Sequence, residues 1–288
     1  MAKLKFLMRW NNFVRQVADK RYTLCYSRHM FDTSDCSIVG MVHTLPLPGS
    51  PKWAGNIHAV IARAVSDAEA LVQGGCTSIL IENMGDLPYL NGSVYPETLV
   101  ALTRVVDALQ HISVPKGLQI LAGANTQALA LATIGDLDFI RVEGFAYGHV
   151  ADEGWMDACA GPLLRQRATL SSVVQIWADV QKKHAAHALT SDLTLGELAH
   201  GAVFCGADVC IITGRKTGDE TSASHVRAAK DAGRPVAVGS GVTPENAGEL
   251  AQIADALIVG SWFKVDGDWR NPVDKARVQT LIRATKSS

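Results

Sequence analysis

The feature of this chain that most constrains its fold is a regular alternation of short apolar runs with longer segments of helical periodicity. The alternation repeats eight times from Ser37 onward and predicts strands over residues 37–43, 78–83, 117–122, 138–144, 174–180, 208–214, 235–241 and 256–261. After the first strand, Val60, Ala64, Ala68 and Leu71 recur at spacings of three and four, which is typical of an amphipathic helix. Nearly continuous apolar strands separated by such helices indicate a parallel sheet that is covered by helices.

Eight βα units without a break in composition predict a closed (β/α)8 barrel, or TIM barrel, over residues 37–288. The length of 288 residues would suit one such barrel or two average domains. Two doubly wound halves would need a linker near the middle, whereas residues 130–180 alternate without interruption. Residues 145–157 are the longest segment that fits no element, and we interpret them as a candidate lid.

Residues 1–36 are interpreted as a basic N-terminal extension or a targeting segment. Residues 1–30 carry seven Lys or Arg and a single acidic residue, Asp19, with apolar residues at helical spacing. Organellar transit peptides have such a composition, although they are usually rich in serine and this segment is not. A basic helix that closes the bottom of the barrel is the alternative. We predict a cytoplasmic location, with a mitochondrial one as the alternative.

Composition and charge exclude several classes of partner. Hydrophobic residues make up 48% of the chain and charged residues 19%, which is ample for a large core. The formal net charge of −1 and the lack of a basic stripe with interleaved aromatics argue against nucleic acid. No run of about 18 apolar residues occurs, so we predict no membrane span. The six cysteines form no C-x-x-C pair, which favours a reducing compartment.

Two glycine-rich turns follow the last two predicted strands. Gly239, Ser240 and Gly241 follow the seventh strand, and Gly260 and Ser261 follow the eighth. The loops after these two strands bind a phosphate in many barrels, and glycine lets the backbone approach the anion closely. We therefore predict a phosphate site at these five residues. The alternative is that the glycines only make tight turns.

The residues after the first of these turns predict the start of a helix. Thr243 suits the N-cap and Pro244 the first helical position, while Asn246 stands where a capping box would have Glu or Gln. The N-terminus of a helix carries partial positive charge, which favours a bound anion.

Polar side chains at the carboxyl ends of other strands predict acid–base chemistry, because reacting groups in parallel barrels come from this end. His43 ends the first strand before a proline-braced loop, with a structural histidine as the alternative. Glu82 and Asp179 end the second and fifth strands, where a carboxylate is costly unless it is paired or catalytic. These three side chains are candidate proton donors and acceptors.

Charged residues near the fourth and fifth strands leave two interpretations open. Arg141 and Glu143 are two apart and share the interior face, either as a mutual ion pair that braces the barrel or as functional groups. Lys182 or His184 could share a proton with Asp179, whereas Lys183 and His184 could instead belong to a solvated loop. The predicted catalytic residues are His43, Glu82, Arg141, Asp179 and Lys182.

A metal site is considered and not predicted. His43, Glu82, Asp179 and His184 could supply ligands only from different strands, because neither H-x-x-x-H nor H-E-x-x-H spacing occurs. The sequence identifies no cofactor.

Several linked motifs resemble one family. The runs IVGMVHTLPLPGSP, DFIRVEGF, IWADVQKKHAAH and VCIITGRKTG, together with the segment from VGSGVTPEN to ALIVGSWF, are similar to those of the BtpA family, which includes SgcQ-like proteins. The resemblance covers about residues 37–284 and implies a barrel of the ribulose-phosphate-binding type. It also implies a phosphate site, and oligomers are common among such barrels, so we expect a homo-oligomer. The family was named for a role in photosystem I biogenesis.

The chain departs from the family pattern in two places. Residues 121–125, LAGAN, stand where the family tends to have a VLRND-like run, so an arginine is missing. Glu143 stands where relatives usually have asparagine. Either change could alter a contact with the ligand.

These observations lead to one main hypothesis and two alternatives. The main hypothesis is an enzyme, an isomerase or a lyase, that acts on a phosphorylated small molecule such as a sugar phosphate or nucleoside phosphate. The first alternative is a non-catalytic assembly or stability factor. The second is a protein that binds flavin mononucleotide through the same phosphate loops.

Overall fold

The computed structural model describes residues 35–214 and 221–286, and within them eight parallel strands close into a barrel. Each strand pairs with the next along the chain, and the eighth pairs with the first, with Ser37 opposite Ala256. The strands are β1 (Ser37–His43), β2 (Ser78–Glu82), β3 (Lys116–Gln119), β4 (Phe139–Val142), β5 (Gln175–Asp179), β6 (Val209–Ile212), β7 (Val236–Val238) and β8 (Ala256–Val259). The predicted TIM barrel is confirmed.

Eight helices follow the strands on the outside of the barrel in the part of the chain described. They are α1 (Ile57–Gly74), α2 (Pro96–Ala108), α3 (Asn125–Ile134), α4 (Ala160–Thr169), α5 (Leu195–Phe204), α6 (Ala223–Lys230), α7 (Pro244–Ile253) and α8 (Lys275–Thr285). Helix α7 begins as predicted, with Thr243 as N-cap and Pro244 in the first turn. Asn246 takes the place of Glu in the capping box, because its Oδ1 accepts the N–H of Thr243 at 2.9 Å.

Alternate strand residues face two different environments. Val42, Ile81 and Ile140 belong to the apolar core between the barrel and the helices. The residues between them face the barrel interior, where Phe139 stacks on Trp177 with ring centroids 4.2 Å apart. Since both faces of each strand are buried, the strands read as continuous apolar runs until polar side chains appear at their carboxyl ends.

A small antiparallel sheet lies outside the barrel at the loops after β4 and β5. Its strands are Gly154–Met156, His149–Ala151 and Ala185–Ala186, in that spatial order, and we call it the lid sheet. Asn91 fastens it to the loop after β2, because its Nδ2 donates to the carbonyls of Glu153 and Trp155 at 3.1 and 2.8 Å. The segment interpreted as a candidate lid is thus an ordered hairpin that pairs with the next loop.

The N-terminal segment is only partly covered by the described residues. The proposed extension or targeting segment falls on residues 1–36, and all of it except residues 35 and 36 lies outside the described residues. No helix of the described ranges is long and apolar enough to cross a membrane. The five described cysteines are free thiols.

Candidate active site

A cavity of about 910 Å³ opens at the carboxyl ends of the barrel strands. The predicted residues His43, Glu82, Arg141 and Lys182 line it, together with the five residues of the two glycine-rich turns, which are Gly239, Ser240, Gly241, Gly260 and Ser261. Asp179 is not among the lining residues. The loops after strands and the lid sheet surround the cavity, which is where barrels of this architecture hold their ligands.

Arg141 and Asp179 form a buried bidentate ion pair. The Nε of Arg141 lies 3.1 Å from Oδ2 of Asp179, and its Nη2 lies 3.0 Å from Oδ1. Burial opposes the charge on Arg141, but Asp179 outweighs that effect and the pKa of the guanidinium is raised. Arg141 therefore pairs with Asp179 rather than with Glu143, and Lys182 pairs with Glu153 and Glu143 rather than with Asp179.

His43 and Glu82 face each other on adjacent strands at the mouth. They are opposite in register, and Nε2 of His43 lies 3.5 Å from Oε2 of Glu82. Burial lowers the pKa of His43 well below its ordinary value, helped by the charge of Lys264, and burial raises the pKa of Glu82. Nδ1 of His43 lies 3.3 Å from the carbonyl oxygen of Trp269, which favours a neutral ring protonated at Nδ1. Nε2 is then a free base that faces a protonatable carboxyl.

Lys182 is held between two carboxylates beneath the lid sheet. Its Nζ donates to Oε2 of Glu153 in the hairpin and lies 4.0 Å from Oε2 of Glu143. Burial raises the pKa of Glu143 to about 7, although Lys182 opposes the shift. Lys182 therefore ties the lid sheet to the barrel through a cluster of buried charges.

Sequence reasoning missed Lys183, which it assigned to a solvated loop. Lys183 lines the cavity, and its Nζ lies 3.5 Å from the carbonyl oxygen of Gly239. Burial and the nearby charge of Arg141 lower the pKa of Lys183 to about 8. Lys182 and Lys183 are adjacent in the sequence but contact different partners, Glu153 and the carbonyl of Gly239. Nothing in the local sequence predicts this difference.

Gln119 is a second residue that the sequence analysis missed. It ends β3 opposite Glu82, lines the cavity and is 2% exposed. Its Oε1 has no hydrogen-bond partner among the described residues. A buried amide oxygen without a partner is costly, so this atom is suited to accept a hydrogen bond from a ligand or a water.

The two glycine-rich turns lie on the same wall of the cavity, but their groups are not equivalent. Gly241 has φ of 69°, a conformation that favours glycine, and leads into the N-terminus of α7. The N–H of Gly239 donates to the carbonyl of Ile212 at 2.8 Å and is not available to a ligand. The Oγ of Ser240 accepts the N–H of Gly214 at 2.8 Å. Gly260 packs against His43, since a Cβ there would lie 3.4 Å from Nε2.

The four residues considered as metal ligands are not gathered around one point. Asp179 is bound to Arg141, and His184 is exposed at the rim of the cavity. Within residues 35–214 and 221–286, no three His, Cys, Asp or Glu side chains are placed to hold one metal ion.

The fold and the charged cavity define a (β/α)8 barrel protein whose polar groups gather at the carboxyl ends of the strands. The model of the BtpA family matches residues 34–287, and the chain belongs to that family. The resemblance inferred from the motifs is thereby confirmed over the whole barrel.

Relatives of this chain occur in an animal, a cyanobacterium and an archaeon. A mitochondrial protein of Caenorhabditis elegans, described as uncharacterized, is 38% identical over 88% of this chain and 94% of its own length. The photosystem I biogenesis protein BtpA of Synechocystis is 38% identical over 86% of this chain and 87% of its own length. An uncharacterized protein of Pyrococcus abyssi is 35% identical over 89% of this chain and 98% of its own length.

Solved structures share the barrel at low sequence identity. KGPDC from Streptococcus mutans has a TM-score of 0.56 at 12% identity, covering 88% of this chain and 98% of its own. Phosphoribosyl anthranilate isomerase from Thermus thermophilus has a TM-score of 0.52 at 14% identity, covering 87% of this chain and 98% of its own. At such identities the similarity establishes the fold alone.

The two departures from the family pattern lie in contact with each other. The N–H of Gly123 donates to Oε2 of Glu143 at 2.9 Å, and Nδ2 of Asn125 donates to the carbonyl of Glu143 at 2.8 Å. Residues 121–125 thus supply neutral donors to the carboxyl and to the backbone carbonyl of Glu143.

The buried carboxyl of Glu143 predicts a pH-dependent stability. Because its pKa is raised to about 7 in the folded state, its protonation stabilises the fold below its unfolded pKa, and this contribution is lost as the pH rises to about 7. Between pH 5 and pH 8, we expect the free energy of unfolding of the wild type to fall by about 1–3 kcal/mol more than that of Glu143→Gln. Urea unfolding at several pH values measures this.

The matched control is Glu249→Gln, which neutralises an exposed carboxylate on α7. It should leave the pH dependence of the wild type unchanged. An equal slope in wild type and Glu143→Gln would show that Glu143 is ionised in the folded protein throughout this range.

Proposed function

We propose that this protein is an enzyme that binds a phosphorylated small molecule, such as a sugar phosphate or nucleoside phosphate, and transfers protons as an isomerase or a lyase. The observation that carries the proposal is that the two glycine-rich turns and the His43–Glu82 pair line one cavity. The turns after β7 and β8 suit an anion, and the neighbouring strands β1 and β2 carry groups that exchange protons. Anchoring at one end lets binding energy orient the reacting end.

The anchor consists of backbone and cationic groups. Gly241 at positive φ, Ser261 and the start of α7 face the cavity from the last two βα turns, and Lys183 adds a positive charge beside Gly239. Helix N-termini and glycine-rich turns favour phosphate because their partial positive charge needs no counter-ion of its own. Since the N–H of Gly239 is already used, Gly239 contributes close approach rather than a donor.

The acid–base groups are Glu82 and His43. Burial raises the pKa of the Glu82 carboxyl and lowers the pKa of the His43 imidazole, so it favours the neutral form of each group, and the pair is suited to pass a proton. Arg141 lines the cavity and stabilises negative charge that develops on a substrate oxygen. Asp179 serves as a positioning residue that fixes the guanidinium, and Lys182 holds the lid sheet through Glu153.

The anchor is tested with Gly241→Asp. Aspartate tolerates positive φ better than most residues, but its carboxylate would repel a bound phosphate. We expect at least about a tenfold loss of affinity for ribose 5-phosphate, because like charges in close contact cost more than about 1.4 kcal/mol. Isothermal titration calorimetry with ribose 5-phosphate, inorganic phosphate and ribose measures it.

Two control variants separate charge from strain. Gly241→Asn has the same shape without the charge and should retain most of the affinity. Gly233→Asp introduces a carboxylate at an exposed glycine with φ of 78° and open space around it, and should bind like wild type. Equal binding of ribose and ribose 5-phosphate by wild type would refute the phosphate anchor.

Proton transfer is tested with Glu82→Gln. In D2O, the wild type should incorporate deuterium next to the carbonyl of a sugar phosphate such as ribulose 5-phosphate, followed by NMR. Glu82→Gln should slow this exchange by about 100-fold or more, the usual contribution of a general acid or base. Binding of the ligand by the variant should stay within a few-fold of wild type. Unchanged exchange in the variant would remove Glu82 from the reaction.

The second candidate function is an assembly or stability factor without catalysis. The name of the Synechocystis relative, a photosystem I biogenesis protein, favours it. The Gly241→Asp variant separates the two functions in a cell that depends on this protein. Full complementation by a variant that has lost phosphate binding would support the assembly factor, whereas loss of complementation supports the enzyme.

The cellular location and the homo-oligomer stay predictions. The cytoplasm was predicted, and the mitochondrial name of the worm relative, together with the basic composition of residues 1–30, supports the alternative. Fusing residues 1–34 to a fluorescent reporter distinguishes the two, because a targeting segment would carry the reporter into mitochondria. A diffuse cytoplasmic signal would exclude that role.

A further inference from the structure

Lys183, which is half-buried, differs from the buried Lys182 and Lys264 in what its amino group contacts. Lys182 pairs with Glu153 and Glu143, and Nζ of Lys264 lies 3.2 Å from Oδ2 of Asp67. Among the described residues, no carboxylate lies within 4.0 Å of Nζ of Lys183, which donates to the carbonyl of Gly239 at 3.5 Å. Two of the three amino groups are thus neutralised structurally, and the third faces the cavity.

We propose that the amino group of Lys183 forms an imine with the carbonyl carbon of a phosphorylated aldehyde or ketone bound in the cavity. This inference rests on the proposed function, because the phosphate anchor would hold the carbonyl compound beside the lysine. It narrows the substrate class from phosphorylated small molecules in general to phosphorylated carbonyl compounds, and it gives Lys183 a covalent role.

The surroundings of Lys183 favour a nucleophilic amine. An ammonium ion cannot attack a carbonyl, so a lysine that forms an imine must lose its proton near neutral pH. Burial and the neighbouring guanidinium of Arg141 lower its pKa to about 8, so a substantial fraction of the side chain is neutral at physiological pH. Arg141 cannot lose its own charge to relieve the repulsion, because Asp179 holds it ionised.

The amine of Lys183 lies beside the anchor, in the cavity that the acid–base pair also lines. Its contact with Gly239 puts Nζ at the first residue of the glycine-rich turn, and Glu82 lines the same cavity from β2. The charges of Lys183 and Glu82 each shift the other's pKa, so the two groups are electrostatically coupled. A carbonyl a few bonds from an anchored phosphate would lie next to the amine.

The step balances with groups that line the cavity. The neutral amine of Lys183 adds to the carbonyl carbon, and one proton moves from the nitrogen to the former carbonyl oxygen to give a neutral carbinolamine. The protonated carboxyl of Glu82 donates a proton to the leaving hydroxyl, so water departs and a protonated imine remains. The Glu82 carboxylate then accepts a proton from the carbon next to the imine, which leaves an enamine. Alternatively, it accepts the proton of a hydroxyl on the following carbon, so that the bond between these two carbons breaks, its electron pair passes to the imine and the fragment leaves as an aldehyde or ketone.

Pyridoxal 5′-phosphate is a suitable probe, because it is a phosphorylated aldehyde whose imine absorbs visible light and is fixed by borohydride. We expect peptide mapping after reduction to find Lys183 modified at least about tenfold faster than other lysines at pH 7.5, since ordinary lysines with a pKa of about 10.4 are almost fully protonated. Pyridoxal, which lacks the phosphate, should react at least about tenfold more slowly, and inorganic phosphate should compete.

Two lysine variants complete the test. Lys183→Arg keeps a positive charge for the phosphate and should bind the probe without forming the adduct. Lys182→Arg changes the adjacent residue, which pairs with Glu153, and should still be modified at Lys183. Borohydride trapping of dihydroxyacetone phosphate and ribose 5-phosphate on the wild type, read by intact mass, extends the result to sugar phosphates.

The outcomes separate this inference from the proposed function. Phosphorylated ligands that raise the melting temperature of the wild type and leave Lys183 unmodified after borohydride would overturn the imine, while the anchor stands. If neither inorganic phosphate nor any phosphorylated probe binds, both proposals fall. Modification of Lys183 at equal rates by pyridoxal and its phosphate would retain a reactive amine and refute the anchor.

Discussion

The buried ion pair between Arg141 and Asp179 is the interaction on which the cavity depends. A guanidinium in the interior of a barrel would be prohibitively costly alone, and two parallel hydrogen bonds to one carboxylate both neutralise it and fix its plane. The pair joins β4 to β5 at the level where the strands end. Its positive side faces the cavity, so it lowers the pKa of Lys183 and stabilises the ionised forms of Glu82 and Glu143 against burial.

Acidic and cationic groups around the cavity are partly separated, with Arg141 on β4 as the cation beside the carboxyl groups. Carboxyl groups of Glu82 and Glu143 lie on the side of β2 to β4, and both have raised pKa values because burial outweighs the neighbouring cations. Cationic and backbone groups gather on the side of β5 to β8, at Lys183 and the glycine-rich turns. Such an arrangement suits a ligand with an anionic end near β7 and β8 and a neutral reacting end.

The sequence predicted the order and position of all eight strands, because burial on both faces leaves a strong local signal of apolar residues. It extended the third strand to residue 122, whereas β3 ends at Gln119, since apolar residues continue into the loop. Partners were harder to predict. One of the two open interpretations paired Arg141 with Glu143, two residues away, whereas Arg141 pairs with Asp179 on the next strand, a choice that register and rotamer decide. Lys183 was overlooked because nothing local distinguishes it from Lys182.

Gly260 brings the turn after β8 into contact with His43 at the end of β1. A side chain at this position would push against the imidazole of His43, with its first carbon 3.3 Å from Cε1 and 3.4 Å from Nε2. The imidazole ring of His43 can pack this closely against the turn after β8 because Gly260 has no side chain. Among family members, loss of this glycine should therefore accompany a smaller residue in place of His43, so that the two positions change in concert across an alignment.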